Sequence, residues 1–191
     1  MTDQIKFTVL KINHHNAAHV AQRWPYAAYG SNLLFSQIAE RCPRNDLITS
    51  GRVLDYRLDF ARVATITPDN DSTVPVGIYK LTQSDVETLD RREGLGRAYD
   101  RFLITPLTDD GRAIRCFTYI KREATLQPPT DDYFTKLLHG YRDWHFEDRR
   151  LRHARARAIK AWEADAPRRE AEARRTEEFR RWVPETPWGQ S

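Results

Sequence analysis

The stretch Tyr29-Gly30-Ser31-Asn32-Leu33 contains the residue types from which an anion-binding turn can be built. Gly30 can turn the backbone sharply and let a ligand approach closely. Ser31 and Asn32 are favoured helix N-caps, so the backbone N–H groups of this turn can point at one anion or developing oxyanion. A turn of this composition can also be a plain connection between a strand and a helix, and these residues alone leave that alternative open.

The residues on either side predict where this turn lies in the fold. Trp24–Tyr29 is apolar and aromatic, which is typical of a short buried strand. After the turn, apolar residues recur with helical spacing at Leu33, Leu34, Ile38 and Ala39. The chain is therefore expected to run from a strand through a tight turn into a helix.

The length and composition indicate a globular protein with one domain and an appendage. The chain has 191 residues, of which 40% are hydrophobic and 30% charged. No apolar run approaches the roughly 20 residues that cross a bilayer, and the N-terminus lacks the pattern of a secretory signal. We therefore expect a cytoplasmic protein without a membrane partner.

The net charge of +4 is concentrated in the C-terminal part of the chain. Residues 147–191 contain 12 Arg and Lys against 9 Asp and Glu, whereas residues 1–146 contain 19 against 18. A nearly neutral body argues against a basic nucleic-acid-binding domain.

The cysteines and the N-terminal histidines are interpreted as residues without a chemical role. Cys42 and Cys116 are the two cysteines, and we expect both to be free and buried. Cys116 lies in the alternating run Arg112–Lys121, and no neighbouring motif supplies a base for a thiol nucleophile. His15 and His19 would share a helix face as a metal pair, but no third ligand with suitable spacing is nearby.

Alternating or continuous apolar runs predict the strands of the sheet. Thr65–Asp71, which contains Pro68, is expected to be a loop, and Thr108–Gly111 is expected to be a hairpin turn. The predicted strands are Ile5–Ile12, Trp24–Tyr29, Val53–Val63, Val74–Leu81, Tyr99–Leu107 and Arg112–Lys121.

Two short helices are predicted, one between the strands Val74–Leu81 and Tyr99–Leu107 and one after the last strand. Ser84 and Glu87 have the spacing of a capping box, and that helix is expected to end before Gly94. Thr130 is expected to cap a second helix that ends at Gly140. Four to six strands with a few helices, without βαβ alternation, indicate a mixed α+β domain around a closed or strongly curved sheet.

Residues 147–183 are rich in Arg, Glu and Ala, which is typical of long exposed helices. Pro167 can occupy the first turn of a second helix. The segment is either a helical hairpin packed on the body or on another copy of the chain, or a docking arm for a protein partner. Its apolar stripe consists of Leu151, Ala154, Ala158, Ile159 and Trp162.

The order and spacing of several motifs resemble the γ-glutamylcyclotransferase family, including the AIG2-like proteins. The resemblance covers about residues 24–145. It predicts an N-terminal leader (1–23), a catalytic domain (24–146) and a charged helical extension (147–191). The motifs that carry it are Tyr26–Leu33, Leu54–Phe60, Val76–Tyr79, Leu89–Gly94, Tyr99 and Pro128–Tyr133.

The resemblance implies a mixed β-barrel. It also implies an enzyme that catalyses an acyl-transfer (lyase) reaction without a cofactor or a metal. Such an enzyme releases 5-oxoproline from a small-molecule γ-glutamyl substrate. Glu93 would be the catalytic acid/base, and Tyr99 and Tyr133 would lie near the γ-glutamyl group. The substrate cradle would be formed by Tyr29, Gly30, Ser31, Asn32 and Leu33.

The same residues allow other interpretations. Without the resemblance, Glu93 is a solvated member of an acid–base patch that includes Asp90. A binding or regulatory module could keep the pocket and act through its helical arm, and a related enzyme could cleave a different acyl or amide linkage. The segment Tyr141–Phe146 departs from the Gly-Leu-Pro type common in the family, and its Arg142 and Trp144 suggest a larger or anionic leaving group.

Overall fold

The structure is a computed structural model that describes residues 22–182. The expected strand Ile5–Ile12 and the pair His15 and His19 lie outside the described residues. The strands are β1 (Trp24–Ala28), β2 (Asp46–Ala61), β3 (Val63–Leu81), β4 (Tyr99–Ile104), β5 (Leu107–Thr108) and β6 (Cys116–Lys121). The α-helices are α1 (Phe35–Arg41), α2 (Gln83–Glu93), α3 (Asp131–Asp143), α4 (Arg149–Ala164) and α5 (Ala166–Trp182).

The six described strands form one sheet in the order β4-β6-β1-β3-β2-β5. β1 lies inside this sheet, antiparallel to β3 and parallel to β6. Its apolar sequence suits that place, because an interior strand is covered on both faces. The α+β class is confirmed, but within the described residues the sheet is open, with β4 and β5 at its edges, and not the expected closed barrel.

The long hairpin of β2 and β3 makes up most of the sheet. The two strands pair down to Ala61 and Val63 at the turn. The loop expected over Thr65–Asp71 is wrong in its first half, because Thr65–Pro68 pairs with Tyr56–Asp59. The β-branched residues at 65–67 favour the ladder. The register then shifts, and residues 69–72 have no partner in it.

Strands β4 and β6 are shorter than the sequence predicts. The strand expected over Tyr99–Leu107 ends at Ile104, and Leu107–Thr108 pairs with β2 as a separate strand. The strand expected over Arg112–Lys121 begins at Cys116. The chain turns between these segments at Thr108–Gly111, as predicted, where the Gly111 N–H donates to the Thr108 carbonyl over 3.0 Å.

Helix α2 begins two residues earlier than the sequence predicts and ends where predicted. The capping box pairs Thr82 with Asp85 and not Ser84 with Glu87: the Asp85 N–H donates to Thr82 Oγ1 over 3.3 Å, and the Thr82 N–H donates to Asp85 Oδ2 over 3.1 Å. The helix ends at Glu93, followed by Gly94 with φ +65°. Glycine adopts this left-handed conformation without strain.

Helix α3 starts after its cap, Thr130, but continues through Gly140 to Asp143, so the predicted end is wrong. Gly140 permits close packing: a Cβ there would lie 2.9 Å from both Leu33 Cβ and Leu34 N. The left-handed residue beyond the helix is His145, with φ +55°. Glycine at 140 therefore brings α3 against the turn that follows β1.

The C-terminal segment forms two helices, as predicted. The face of α4 with Leu151, Ala154 and Ala158 is buried and contacts β2. Pro167 is the second residue of α5, most of which is exposed. None of the helices in residues 22–182 is long and apolar enough to span a bilayer.

The Trp144 side chain lies over Gly77 on β3, where an added Cβ would be 2.2 Å from Trp144 Cζ2. We expect Gly77→Ala to lower the free energy of unfolding by about 1–3 kcal/mol, because the rigid indole must move out of a filled core. Urea unfolding would measure the loss. In a double-mutant cycle with Trp144→Phe, which removes the far ring, the second substitution should relieve part of that loss. An equal loss in both backgrounds would show that this contact is not its cause.

Candidate active site

A pocket lies where the end of β1, the end of α2 and the start of α3 meet. It encloses about 330 Å³ including its open mouth. Its lining is aromatic and polar, with a single carboxylate. The lining residues are Tyr26, Tyr29, Gly30, Ser31, Asn32, Ala64, Glu93, Tyr99, Tyr119 and Tyr133.

All but one of the site residues expected from the sequence line this pocket. Glu93 lies opposite Asn32, although the two are 61 residues apart in the chain. Leu33 does not line the pocket, and its side chain is fully buried against Gly140. The sequence reasoning did not select Tyr26, Ala64 or Tyr119, which lie in strands whose local patterns indicate only burial.

The turn after β1 is a single 3-10 turn, Ser31–Leu33, and α1 begins two residues later. The expectation that Ser31 and Asn32 cap this helix is wrong. The N-cap positions are Gly30 for the turn and Leu34 for α1, and neither makes a side-chain capping bond. The Phe35 N–H at the start of α1 donates instead to Asp143 Oδ2 over 2.9 Å. Because α3 supplies this acceptor, the Asn32 amide is left to bond within the pocket.

The Asn32 side chain is the centre of a hydrogen-bond network, and the residue is 4% exposed. Its Oδ1 accepts from Arg41 Nη1 at 2.8 Å and from Gln37 Nε2 at 3.3 Å. Its Nδ2 donates to the Tyr26 hydroxyl at 2.9 Å and to Glu93 Oε1 at 3.5 Å. Since both cationic and amide donors meet Oδ1, the amide N–H₂ is oriented toward Glu93.

Glu93 is mostly buried, with 18% of its side chain exposed. Burial raises the pKa of its carboxyl group above the ordinary value of 4.5, because a low-dielectric environment disfavours the charge. Arg41, whose Nη1 lies 3.8 Å from Oε1, and the Asn32 amide oppose this rise in pKa. The result is a carboxylate that can both accept and return a proton.

Five tyrosines surround this carboxylate. Burial raises the pKa of Tyr99 and of Tyr133, and the nearby charge of Glu93 adds to the rise in both. The Tyr133 oxygen accepts from the Ala64 N–H at 3.2 Å, and Ser31 lowers the Tyr133 pKa by hydrogen bonding. The phenols therefore remain protonated at neutral pH and can act as donors to a ligand.

Two of the tyrosines are tied to the surrounding frame. The Tyr29 hydroxyl donates to the Tyr119 backbone carbonyl over 2.5 Å, and the Tyr119 hydroxyl donates to Asp90 Oδ1 over 2.6 Å. Asp90 in turn pairs with Arg101 over 3.3 Å. Asp90, the nearest rival to Glu93 as a catalytic carboxylate, is therefore engaged outside the pocket lining.

Other residues considered for chemistry do not line the pocket. Trp144 is buried and its Nε1 donates to the Leu33 carbonyl over 2.9 Å, while Arg142 is exposed, so neither supports the leaving-group role suggested by the sequence. Cys42 and Cys116 are free and buried, as expected, and burial raises the pKa of each thiol to about 12. Within residues 22–182 no group of three or more His, Cys, Asp or Glu side chains could hold a metal ion.

Comparison with known proteins gives the family of the domain that contains the pocket. The family model described as "Gamma-glutamyl cyclotransferase, AIG2-like" matches residues 26–145, which include every residue of the pocket. The chain belongs to the γ-glutamyl cyclotransferase, AIG2-like family. Helices α4 and α5 lie outside the matched residues of this family domain.

Individual relatives agree with this membership. The chain is 28% identical over 131 residues to the gamma-glutamylcyclotransferase of Bos taurus, covering 62% of this chain and 70% of the relative. The Homo sapiens gamma-glutamylcyclotransferase is 29% identical over the same shares. A solved structure titled gamma-glutamyl cyclotransferase is 26% identical, with a TM-score of 0.61, covering 64% of this chain and 80% of that chain.

The raised pKa of Glu93 leads to a prediction about stability. The folded state holds a proton on Glu93 at pH values where the unfolded chain has lost it, so wild-type stability falls as pH rises through that interval. We therefore expect Glu93→Gln, which is always neutral, to have the higher melting temperature at pH 7. The difference should disappear below about pH 4, where the wild-type carboxyl group is protonated in both states. Paired thermal scans would test this, and a variant less stable at pH 7 would contradict it.

Proposed function

We propose that this protein is a γ-glutamylcyclotransferase-type enzyme that releases 5-oxoproline from a γ-glutamyl amino acid, peptide or amine. The observation that carries the proposal is the buried Glu93 carboxylate facing the Ser31–Leu33 turn across a small pocket. Family membership and the gamma-glutamylcyclotransferase relatives support the same reaction. In this proposal residues 24–146 form the catalytic domain, residues 1–23 a leader and residues 147–191 a helical extension.

The first step is removal of a proton from the substrate. The α-amine of a γ-glutamyl group arrives as an ammonium ion and must become neutral before it can attack its own γ-carbonyl carbon. Glu93 accepts that proton, and its raised pKa makes it a stronger base than an exposed glutamate. Ring closure is intramolecular, so holding the two ends together can supply about 7 kcal/mol or more of the rate enhancement.

The second step is stabilisation of the tetrahedral oxyanion. The 3-10 turn makes its first internal bond from the Leu33 N–H to the Gly30 carbonyl, so the N–H groups of Ser31 and Asn32 precede the hydrogen-bonded turn. These groups are the donors we assign to the oxyanion, with the Tyr133 hydroxyl beside them. Loss of one such donor typically costs about 3 kcal/mol of transition-state stabilisation.

The third step breaks the bond between the γ-carbonyl carbon and the leaving nitrogen. Protonated Glu93 gives its proton to that nitrogen, and the amine departs as 5-oxoproline forms. The carboxylate is then ionised again and accepts the second proton of the ring nitrogen, which entered as an ammonium group and ends as a lactam N–H. Glu93 passes this proton to the departed amine, which leaves as an ammonium ion, so the proton balance closes over one turnover with one acid/base. A pure binding module has no need of a desolvated carboxylate in its pocket, and for that reason we favour the enzyme.

Glu93→Gln should lower kcat for 5-oxoproline release by about 10²–10⁴-fold, because the amide cannot accept the proton. The assay would use γ-glutamyl amino acids, glutathione and γ-glutamyl-lysine, with 5-oxoproline measured by chromatography. Glu87→Gln, an acid-to-amide change on the same helix outside the pocket, should keep wild-type activity. Equal turnover by wild type and Glu93→Gln would remove Glu93 from this role.

Arg41 should set the acid limb of the pH profile. The limb of kcat/KM falls as pH drops through the Glu93 pKa, and the Arg41 charge holds that pKa down. Arg41→Met should therefore move the limb to higher pH, and Arg41→Lys, which keeps a positive charge, should move it less. If the acid limb of Arg41→Met lies at the same pH as that of the wild type, Arg41 does not influence the ionisation of Glu93.

A further inference from the structure

A second concave region lies between α4 and the β2–β3 hairpin, away from the pocket that holds Glu93. It consists of three adjoining hollows. The first two share Thr73 and Arg150, and the second and third share His153 and Arg157. The largest encloses about 940 Å³ including its mouth. We call this continuous depression the α4 groove.

The α4 groove is lined mainly by cations. Two acidic residues, Asp109 and Glu147, also line it, and both belong to the hollow that contains Arg52. Asp109 pairs with Arg52 over 3.3 Å. The remaining two hollows have no acidic residue in their lining. The cationic side chains of the groove are Arg52, Arg57, Arg149, Arg150, Arg157 and Lys160, accompanied by His145 and His153.

Backbone carbonyls hold two of these arginines in place. Arg150 Nη1 donates to the Thr73 carbonyl over 3.2 Å, and Arg157 Nη2 donates to the Leu58 carbonyl over 2.6 Å. A carbonyl fixes the position of a guanidinium group without cancelling its charge. Arg149 and Lys160 make no ion pair with a residue in the described range.

One buried carboxylate anchors the middle of the groove. The Asp59 side chain is 2% exposed; its Oδ1 accepts from Arg157 at 3.0 Å and its Oδ2 from Arg57 at 2.9 Å. A single negative charge therefore serves two guanidinium groups. Asp69, 3.6 Å from Arg57 Nη1, is the other acid in contact there. Each guanidinium carries five N–H donors, so donors remain for a ligand.

Several arginines elsewhere on the C-terminal helices are paired with acidic side chains. On the other faces of α4, Arg152 pairs with Asp148 and Arg155 pairs with Asp131. On α5, Arg168, Arg174 and Arg181 each pair with an acid three or four residues away. Arg149, Arg150 and Lys160, which line the groove, make no such ion pair within the described residues.

We propose that the α4 groove binds a small polyanion whose charges are carried by phosphate groups. The guanidinium groups match phosphate oxygens in geometry and charge. Arg150 and Arg157 are seven residues apart on one helix, about 10 Å along its axis, so they can contact two anionic groups of one ligand. The first turn of α4, which contributes Arg149 and Arg150, adds the positive end of a helix dipole.

Single-stranded nucleic acid fits this groove less well than a small phosphate compound. Binding of single strands relies on aromatic side chains on which bases stack. Phe146 is the aromatic residue in the first hollow, and the two hollows along α4 have none in their lining. The groove also lies on the helix that is outside the family match, so the site belongs to the C-terminal extension and its contact with β2 and β3.

Titration calorimetry with inorganic tripolyphosphate at about 150 mM salt tests the proposal. The wild-type chain should bind, and Arg149→Gln/Arg150→Gln should bind at least about tenfold more weakly, because two charge-assisted contacts are lost. Arg157→Gln is a second variant, about two turns further along α4 in the same groove, and should weaken binding as well. Release of 5-oxoproline by the double variant should match that of the wild type, since neither arginine lines the Glu93 pocket.

The matched control is Arg174→Gln/Arg181→Gln, which removes the same charge from α5 and should leave binding unchanged. Three results would overturn the proposal. They are absence of tripolyphosphate binding by the folded wild type, an equal loss of affinity in the α5 control, and tighter binding of a single-stranded oligonucleotide than of tripolyphosphate. Equal affinity for citrate would overturn the assignment to phosphate, whereas weaker binding of citrate supports it.

Discussion

The hydrogen bonds of the Asn32 amide hold the candidate active site together. One side chain joins β1 through Tyr26, α1 through Arg41 and the end of α2 through Glu93. A buried amide must satisfy its donors and acceptors, and here the partners lie on three different elements, with Glu93 61 residues away in the sequence. The same bonds that satisfy the amide therefore fix the separation between the turn and the carboxylate.

A second constraint is packing behind the turn. Gly140 lets α3 approach Leu33 and Leu34, and Gly77 leaves room on β3 for the indole of Trp144, whose Nε1 binds the Leu33 carbonyl. Neither glycine is needed for an unusual backbone angle in these places. Both are needed because backbone and side chain come too close for a methyl group. The position of the turn is thus held by the core packed behind it, in addition to the turn's own hydrogen bonds.

Burial of the Glu93 carboxylate lowers the stability of the folded state at neutral pH and also makes the group a stronger base. Desolvation disfavours its charge, and Arg41 and Asn32 compensate in part. If the charge were fully stabilised, the carboxylate would be a weaker base, and without the compensation from Arg41 and Asn32 its pKa would be raised further. In the C-terminal extension, arginines of α4 that are not fully neutralised line a separate groove against β2 and β3.

The sequence by itself determined the features that depend on local chemistry or on ordered motifs. Helix α2 ends before Gly94, α4 buries its Leu151–Ala158 stripe, and the motifs around Tyr29 and Glu93 predict the family, since each signal lies within a short segment. Only the tertiary structure decided which strands pair and which side chains meet. No local pattern shows that Asp143 would accept from Phe35, that Arg41 would reach Asn32, or that the expected barrel would remain an open sheet in the described residues. These outcomes depend on tertiary packing, in which a residue's role is set by partners that here lie between 9 and 108 positions away.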